Sequence, residues 1–344
     1  MDLSDAREKA RERMKGTCGV YKVCDGNPDR LCQGIKYGKA LGLGGIGKGT
    51  TFTANVQALD RLRLKSRLIS LHKEPEMKAS FFGHEVAFPI FCTSMSGVQI
   101  SMGGAISELE FDRAVIRGCK TAGTIGFVGD GAETLEDRPG LQAIREADGW
   151  GVQIFKPREQ SVLLRLIQEA RAAGAIAVGV DLDGAGSVPM ALKGQPVFRK
   201  SVEELKELVA STSLPFILKG ITSEEDAAAA LQTGCKVVAV SNHGGRTLDS
   251  MLGIADVLPR LVPILKGKVV IAADGGVRTG FDVLKMLALG ADFVMAGREF
   301  IRAAIGGGAE GVTAEAAFLS QDLRKAMIMT GCNTLSEINE EVFA

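Results

Sequence analysis

The stretch KVVIAADGGVRTGFDVLKMLALGADFVMAGR, residues 268–298, contains the repeating unit that decides the fold. It opens with an apolar, β-branched run at 268–274, continues as a helical pattern that ends at Gly290, and returns to an apolar run at 292–296. The apolar residues of both runs are continuous, as strands covered on both faces require. The stretch therefore predicts a strand, a helix and a second parallel strand.

The same unit recurs along most of the chain. Its strand-like runs are 89–93, 124–128, 151–155, 175–181, 215–219, 236–241, 268–274 and 292–296. Helical segments between them open with capping-box patterns at Ser107, Ser201 and Thr222 and close at Gly123, Gly174, Gly234 and Gly290. Eight such units predict a TIM (β/α)8 barrel over residues 81–344, with an open doubly wound sheet as the alternative. Residues 1–80 do not share the pattern and predict a helical, loop-rich cap.

Composition limits the classes of partner. The chain has 344 residues, with Lys+Arg and Asp+Glu equal at 41 each, and no basic stripe. Nucleic acid and anionic membrane surfaces are therefore poor candidates for the main partner. The first residues form a charged helical run, and no apolar run is long enough to span a bilayer. We interpret the protein as cytoplasmic, without a membrane span.

The ends of the last two predicted strands suggest a phosphate site. Barrels commonly bind phosphate at the loops after strands seven and eight. Gly275 and Gly276 allow backbone N–H groups to approach an anion, and Arg278 and Arg298 can add paired donors. The alternative is a pair of tight turns with two surface arginines.

The end of the sixth predicted strand, SNHGGR at 241–246, suggests a catalytic group. His243 is the residue type most often used as a base near neutral pH, and Asp181, which ends the fourth strand, can orient it. Arg246 can form a forked contact with a carboxylate, and Lys219 can stabilise an anion inside the ring of strands. Alternatively, His243 caps a turn and Lys219 is a salt-bridge partner.

Four segments carry a resemblance to a known family: SNHGGRTLD (241–249), ILKGI (217–221), DGGVRTGFDVLKMLALGA (274–291) and AGRE (296–299). They resemble the FMN-dependent α-hydroxy acid oxidase/dehydrogenase family, which includes glycolate oxidase, lactate oxidase and flavocytochrome-type lactate dehydrogenases. The resemblance implies oxidation of a 2-hydroxy acid to a 2-oxo acid. His243 would take a proton from the substrate, Asp181 would pair with His243, Arg246 would bind the substrate carboxylate and Lys219 would stabilise the reduced flavin.

The resemblance also implies how FMN is held. The flavin ring would rest against Ser94, Met95, Ser96, Gln153 and Ser241, and the phosphate would lie on Asp274, Gly275, Gly276, Arg278, Gly297 and Arg298. The family further suggests a homo-oligomer, specifically a tetramer. It leaves open the electron acceptor, which can be oxygen, a quinone or a protein.

The chain departs from the family pattern at three places. Phe155 stands where family members usually have a tyrosine, a second tyrosine is missing from ALGLGGIGKGT (40–50), and a second arginine is missing from DGAGSVPMALKGQP (183–196). Lys193 or Lys48 could replace that arginine. These departures predict a substrate other than simple glycolate or lactate.

Cys18, Cys24 and Cys32 form a cluster with three interpretations: a zinc or iron–sulfur site, a reversible thiol pair, or ordinary structural cysteines. We assign no metal to the catalytic residues. The neighbouring GLGGIGKGT (42–50) is too rich in glycine for a helix and is interpreted as a lid or a linker. Two other functions remain open: a type 2 isopentenyl diphosphate isomerase-like FMN barrel, and a flavin-binding protein without turnover.

Overall fold

A closed barrel of eight parallel strands forms the centre of the molecule. The computed structural model describes residues 1–14, 44–71, 73–132 and 136–344. The barrel strands follow one another in chain order, and the last pairs with the first. They are β3 (Ile90–Met95), β4 (Gly126–Val128), β5 (Val152–Phe155), β6 (Ala177–Asp181), β7 (Phe216–Ile221), β8 (Val237–Val240), β9 (Val270–Ala273) and β10 (Phe293–Ala296). Each lies within or beside one of the eight predicted runs, so the barrel is confirmed and the open sheet is wrong.

A short hairpin closes one end of the barrel. Its strands β1 (Ala79–Phe81) and β2 (His84–Val86) pair antiparallel and were not predicted from the sequence. Phe81 is buried, with its ring centroid 5.2 Å from that of Phe91 and 5.5 Å from that of Phe293. Because these phenylalanines fill the end at which the strands begin, the described residues leave the end where the strands finish for a ligand.

Helices surround the barrel between successive strands. They are α1 (Leu3–Arg13), α2 (Thr50–Arg61), α3 (Val98–Ser101), α4 (Glu108–Thr121), α5 (Pro139–Glu146), α6 (Gln160–Ala172), α7 (Val188–Leu192), α8 (Val202–Ala210), α9 (Glu224–Thr233), α10 (Ile254–Leu265), α11 (Gly280–Ala288) and α12 (Arg298–Thr330), which is broken at Gly308. The capping boxes at Ser107 and Ser201 are confirmed. The one at Thr222 is wrong by one residue, because Ser223 accepts the bond from the Asp226 N–H and caps α9. None of the helices in the described ranges is both long and apolar enough to cross a membrane.

The described parts of the first 80 residues pack onto the barrel. Helix α1 lies against α12, where Gly306 leaves room for the backbone of Ala6: a Cβ at Gly306 would come within 1.8 Å of the Ala6 carbonyl oxygen. Residue 80 falls inside the hairpin, and the division of the chain at that point stays a prediction. Cys18, Cys24 and Cys32 lie outside the described residues, as does part of the glycine-rich segment 42–50.

Candidate active site

The ends of the barrel strands enclose a cavity of about 920 Å³. Its volume is that of a site for a cofactor or another small molecule. The lining contains most of the predicted site residues: Ser94, Met95, Ser96, Asp181, Lys219, His243, Arg246, Asp274, Gly275, Gly276, Arg278, Gly297 and Arg298. Both the predicted catalytic residues and the predicted phosphate residues therefore face one space. Lys193 also lines it, whereas Lys48 is exposed and does not.

Gln153 does not face this cavity, and the prediction that it does is wrong. Its amide nitrogen donates to the Gly129 carbonyl oxygen at 2.9 Å, on the outer side of the barrel near the start of α5. Because side chains alternate along a strand, Ile154 and Lys156 point inward instead. Phe155 likewise packs outward in the core beneath the helices. Lys156, which was not among the predicted site residues, therefore occupies the inward position at the end of β5.

Ser241 lies just outside the cavity wall, contrary to the prediction that it contacts the flavin. It is fully buried, and its hydroxyl oxygen accepts hydrogen bonds from the Lys219 ammonium at 3.1 Å and from the His243 backbone N–H at 3.1 Å. Ser241 therefore links the two residues that do face the cavity.

Asp181 is held between two ammonium groups. Its Oδ2 atom lies 2.5 Å from Lys156 Nζ, and its Oδ1 atom lies 3.1 Å from Lys219 Nζ. Burial alone would raise the pKa of Asp181, but His243, Lys156 and Lys219 together hold that pKa well below its ordinary value. The carboxyl is therefore ionised near neutral pH.

Lys219 is a buried but charged group. Its side chain is only 2% exposed. Burial would lower the pKa of Lys219, but the carboxylates of Asp181, Asp274 and Asp183 raise it above its ordinary value. A fixed positive charge therefore stands inside the barrel mouth, where it can stabilise an anion.

His243 lies between two carboxylates. Its Nδ1 atom is 2.9 Å from Asp183 Oδ1 and 3.3 Å from Asp181 Oδ2. When Nδ1 carries a proton and donates it to a carboxylate, the lone pair of Nε2 is left available as a base. The sequence predicts Asp181 as the partner of His243, and Asp183 is a second partner that was not predicted.

The two glycines after His243 let other parts of the chain approach closely. His243, Gly244 and Gly245 all have positive φ, at 57°, 62° and 80°. A Cβ at Gly244 would lie 2.6 Å from an Arg298 guanidinium nitrogen, and one at Gly245 would lie 2.5 Å from the Phe52 backbone nitrogen. Glycine is therefore required here by the neighbours as well as by the turn.

Arg246 faces the cavity with a hydrogen-bond donor that is unpaired in the described structure. Its Nε atom is buried and has no hydrogen-bond partner among the described residues. Burial lowers the pKa of Arg246 and the charge of Asp181 opposes that shift, yet a guanidinium stays protonated in any folded protein. A buried unpaired donor is costly, so the arrangement favours an anionic ligand.

The phosphate end combines backbone and side-chain groups. Gly275 and Gly276 have φ of 100° and 87°, which L side chains rarely adopt. The guanidinium of Arg298 lies 4.2 Å from the centre of the Phe52 ring and donates to the Gly244 carbonyl oxygen at 2.9 Å. Asp274 accepts from the Thr93 hydroxyl at 3.2 Å, and its other oxygen is buried without a partner in the described structure.

Helix α2 covers this end and is held there by a residue far away in sequence. The Asp249 carboxylate accepts from the N–H groups of Lys48 at 2.5 Å, Thr50 at 2.8 Å and Thr51 at 3.2 Å. A carboxylate that binds the free N–H groups of a helix start acts as its cap. Asp249 therefore fastens α2 to the loop that carries His243.

We expect Asp249→Ala to lower the free energy of unfolding by about 1–2 kcal/mol, the usual cost of losing a helix cap. Burial would raise the pKa of Asp249, but hydrogen bonds from Thr50, Lys48, Ser250 and Thr51 lower it to about 2. The unfolded pKa is about 3.9, so this stability is complete above pH ~4 and disappears as the pH falls toward 2. Urea unfolding of both proteins from pH 7 down to pH 2.5 measures the difference. A difference that stayed constant below pH 4 would contradict the assignment.

Comparison with known sequences identifies relatives over the whole barrel. The model of the FMN-dependent dehydrogenase family matches residues 41–194 and 188–344. Human 2-hydroxyacid oxidase 1 is 30% identical over 330 aligned residues, which cover 84% of this chain and 87% of that protein. The L-lactate dehydrogenase of Yersinia pestis (strain Pestoides F) is 44% identical over 130 residues, which cover 38% of this chain and 34% of that protein.

Solved structures give the same result. A mandelate oxidase variant with a monooxide FMN adduct superposes with a TM-score of 0.73 at 27% sequence identity, covering 88% of this chain and 93% of that one. The cavity described above therefore belongs to a fold that holds FMN in a solved relative.

Proposed function

We propose, from the premise that this chain belongs to the FMN-dependent dehydrogenase family, that it oxidises a 2-hydroxy acid to the 2-oxo acid. The observation that carries the proposal is that His243 and Arg246 line the same cavity as the phosphate end, with Arg246 Nε buried and unpaired. Relatives named 2-hydroxyacid oxidase and L-lactate dehydrogenase add support. The protein is thus an oxidoreductase, and its proposed substrate class is the 2-hydroxy acids.

The residues present fit FMN. The backbone of Gly275 and Gly276 together with Arg278 and Arg298 supplies donors of the kind that a phosphate monoester accepts. The unpaired oxygen of Asp274 suits a hydroxyl of the ribityl chain. Gly297 also lines the cavity, and a Cβ there would lie 3.1 Å from the Thr93 methyl group, so the wall is already tight at this point.

Other residues would hold the ring system. Ser94, Met95 and Ser96 line the wall at the end of β3, and Lys219 brings its ammonium to the opposite side of the mouth. When bound, FMN accepts the two electrons that leave the substrate carbon. Lys219 would stabilise negative charge there, while Ser241 would keep the ammonium in place.

The chemical work of the protein then lies with His243 and Arg246. The Nε2 atom of His243 accepts a proton from the substrate hydroxyl or from its α-carbon, and the imidazolium that forms lies beside two carboxylates. Arg246 binds the substrate carboxylate through its guanidinium fork, which orients the carbon that is oxidised. Lys193 lies on the same wall and offers a second cation.

Two further properties belong to this proposal. The four described cysteines, Cys92, Cys119, Cys235 and Cys332, are all buried free thiols, which supports a reducing compartment such as the cytoplasm. The family resemblance supports a homo-oligomer, with a tetramer as the proposed form. Light scattering on the purified holoprotein measures the oligomeric mass directly.

We expect free 2-hydroxy acids to bleach the flavin in the absence of oxygen, and their methyl esters to do so far more slowly. Arg246→Lys should weaken binding of the acid by about 10–100-fold, because a point charge cannot replace a guanidinium fork that makes a charge-assisted bond. Binding of the ester, which has no carboxylate charge, should differ little between the two proteins. Anaerobic titration followed at the flavin absorbance measures both. Equal losses for acid and ester would mean that Arg246 shapes the loop and does not bind the carboxylate.

A further inference from the structure

The Nδ1 atom of His243 lies close to two carboxylates, and either of them could accept its hydrogen bond. His243 Nδ1 has a single proton to donate, and it lies 2.9 Å from Asp183 Oδ1 against 3.3 Å from Asp181 Oδ2. A charge-assisted N–H···O bond is normally about 2.7–2.9 Å long. The shorter contact has the length of a charge-assisted hydrogen bond, whereas the longer one exceeds that length and is at most a weaker bond.

The other contacts of the two carboxylates differ in the same direction. Both oxygens of Asp181 are already bound to cations, Oδ2 to Lys156 and Oδ1 to Lys219. Asp183 Oδ2, by contrast, is buried and has no hydrogen-bond partner among the described residues. Asp183 is therefore the carboxylate whose charge is left for the histidine.

The backbone beside Asp183 is shaped to admit it. The pairing of β7 with β8 shifts register between Lys219 and Ile221, and Gly220 between them has φ of 95°. A Cβ at Gly220 would lie 2.7 Å from Asp183 Cγ. Any other residue at position 220 would push the Asp183 carboxylate away from its present place, so Gly220 provides the space in which Asp183 reaches His243.

We propose that Asp183 is the positioning residue of His243, and that Lys156 and Lys219 withdraw Asp181 from this role. Asp183 accepts the Nδ1 proton and fixes the tautomer in which Nε2 is the base. Lys156 and Asp183 carry opposite charges at the barrel mouth. The lysine neutralises Asp181, and Asp183 supplies the negative charge that faces the imidazolium. The inference deepens the proposed function and rests on it for the role of His243.

The proton transfer that follows is balanced within the site. Oxidation of the alcohol breaks both its O–H and its Cα–H bond: one proton forms a new bond to His243 Nε2, and bound FMN would take up the two electrons together with the second hydrogen. The Nδ1 proton stays on the imidazolium and is hydrogen-bonded to Asp183 throughout. The substrate proton leaves later from Nε2. Asp183 orients the imidazole of His243 and stabilises its positive charge, but it does not contact the substrate. Loss of Asp183 should therefore slow the reaction and leave substrate binding nearly intact.

The decisive measurement needs no substrate. The chain has only three histidines, His72, His84 and His243, so a protein labelled with ¹⁵N-histidine gives a spectrum that His243→Gln assigns. We expect the oxidised holoprotein to hold His243 as the Nδ1–H tautomer, with a downfield proton signal typical of a bond to a carboxylate. Finding His243 in the Nε2–H tautomer would overturn the proposal without any variant of Asp183.

Two variants then separate the carboxylates. Asp183→Asn replaces the charged acceptor by a neutral one and should move the Nδ1–H signal upfield, because bonds to neutral acceptors are weaker. The double variant Lys156→Met with Asp181→Asn removes one charge of each sign and should retain the signal near its position. The opposite pattern, with the signal kept in the first protein and lost in the second, would assign the role to Asp181.

Kinetics give an independent readout. Asp183→Asn should lower the rate constant of flavin reduction by about 10²–10⁴-fold, with Kd for the acid changed little, as expected when a base loses its orienting carboxylate. If His243→Gln stops reduction and Asp183→Asn does not slow it, the positioning role is wrong and the proposed function stands. If 2-hydroxy acids do not reduce the flavin of the unchanged protein, the proposed function fails, while the tautomer measurement still decides which carboxylate binds the histidine.

Discussion

Replacing His243 by glutamine should slow anaerobic reduction of the flavin by about 10²–10⁴-fold, the usual contribution of a general base. His243 lines the cavity with its Nδ1 atom bound to a carboxylate, so Nε2 is left to accept the substrate proton. Glutamine fills similar space and forms hydrogen bonds but cannot take up a proton near neutral pH. Stopped-flow absorbance of the flavin after mixing with a 2-hydroxy acid measures the rate constant.

FMN content should not change in this variant. The proposed phosphate contacts come from Gly275, Gly276, Arg278 and Arg298, whereas the ring nitrogen of His243 contacts Asp183 and Asp181. Because position 243 has a φ of 57°, His243→Asn is a useful second variant: asparagine adopts the left-handed region more readily than glutamine. Equal losses in the two variants would exclude backbone strain as their cause.

His84→Gln provides the matched control. His84 lies in the hairpin at the closed end of the barrel, with its ring centroid 5.6 Å from that of Trp150, far from the strand ends that form the cavity. The control should reduce its flavin at the rate of the unchanged protein. If His243→Gln also did so, His243 would not be the base, whereas failure of 2-hydroxy acids to reduce the flavin of the unchanged protein would favour a flavin-binding protein without turnover.

The architecture of the barrel could be predicted from the sequence because each strand–helix unit repeats the same pattern of apolar residues and glycines. Continuous apolar runs such as 236–241 must be covered on both faces, and glycines such as Gly234 end the helices between them. The hairpin at Ala79–Val86 was missed because its strands have only three residues each. Runs that short carry no measurable periodicity.

The inward face of β5 could not be predicted by the same means. In a strand that is apolar on both faces, the sequence does not show which of two neighbouring residues points inward. Gln153 was therefore assigned to the cavity, whereas Ile154 and Lys156 occupy it. A lysine directly after an apolar strand was the one available signal for Lys156, because a charge there must find a partner.

The charge pairs of the site depend on contacts between separate units of the fold. Lys156 follows β5, Asp181 ends β6 and Lys219 lies on β7, and only the closed barrel brings these three strand ends together. Asp183 was missed because it is two residues beyond the strand end, in a short 3₁₀ turn that sequence patterns do not specify. The anchoring of α2 by Asp249 joins positions about 200 residues apart, for which a single sequence contains no signal.

Removing the charge of Lys219 should have the second large effect. Lys219→Met should disfavour the reduced flavin and its sulfite adduct by about 2–4 kcal/mol, the range for one buried charge contact aimed at a developing anion. For a two-electron couple, 30 mV corresponds to about 1.4 kcal/mol, so the reduction potential should fall by roughly 40–90 mV. The ammonium is 2% exposed and its pKa is raised by Asp181, Asp274 and Asp183, so the charge being removed is a permanent one.

The fold should survive this change because Asp181 keeps its second cation. Its Oδ2 atom remains 2.5 Å from Lys156 Nζ, and methionine fills much of the volume of the lysine stem. Lys193→Met is the matched control, since it removes a positive charge from the same cavity wall but not from the buried ring of strand ends. Potentiometric titration and sulfite binding should therefore distinguish the two variants. An unchanged potential in Lys219→Met, with flavin still bound, would mean that the lysine serves only to neutralise Asp181 and Asp274.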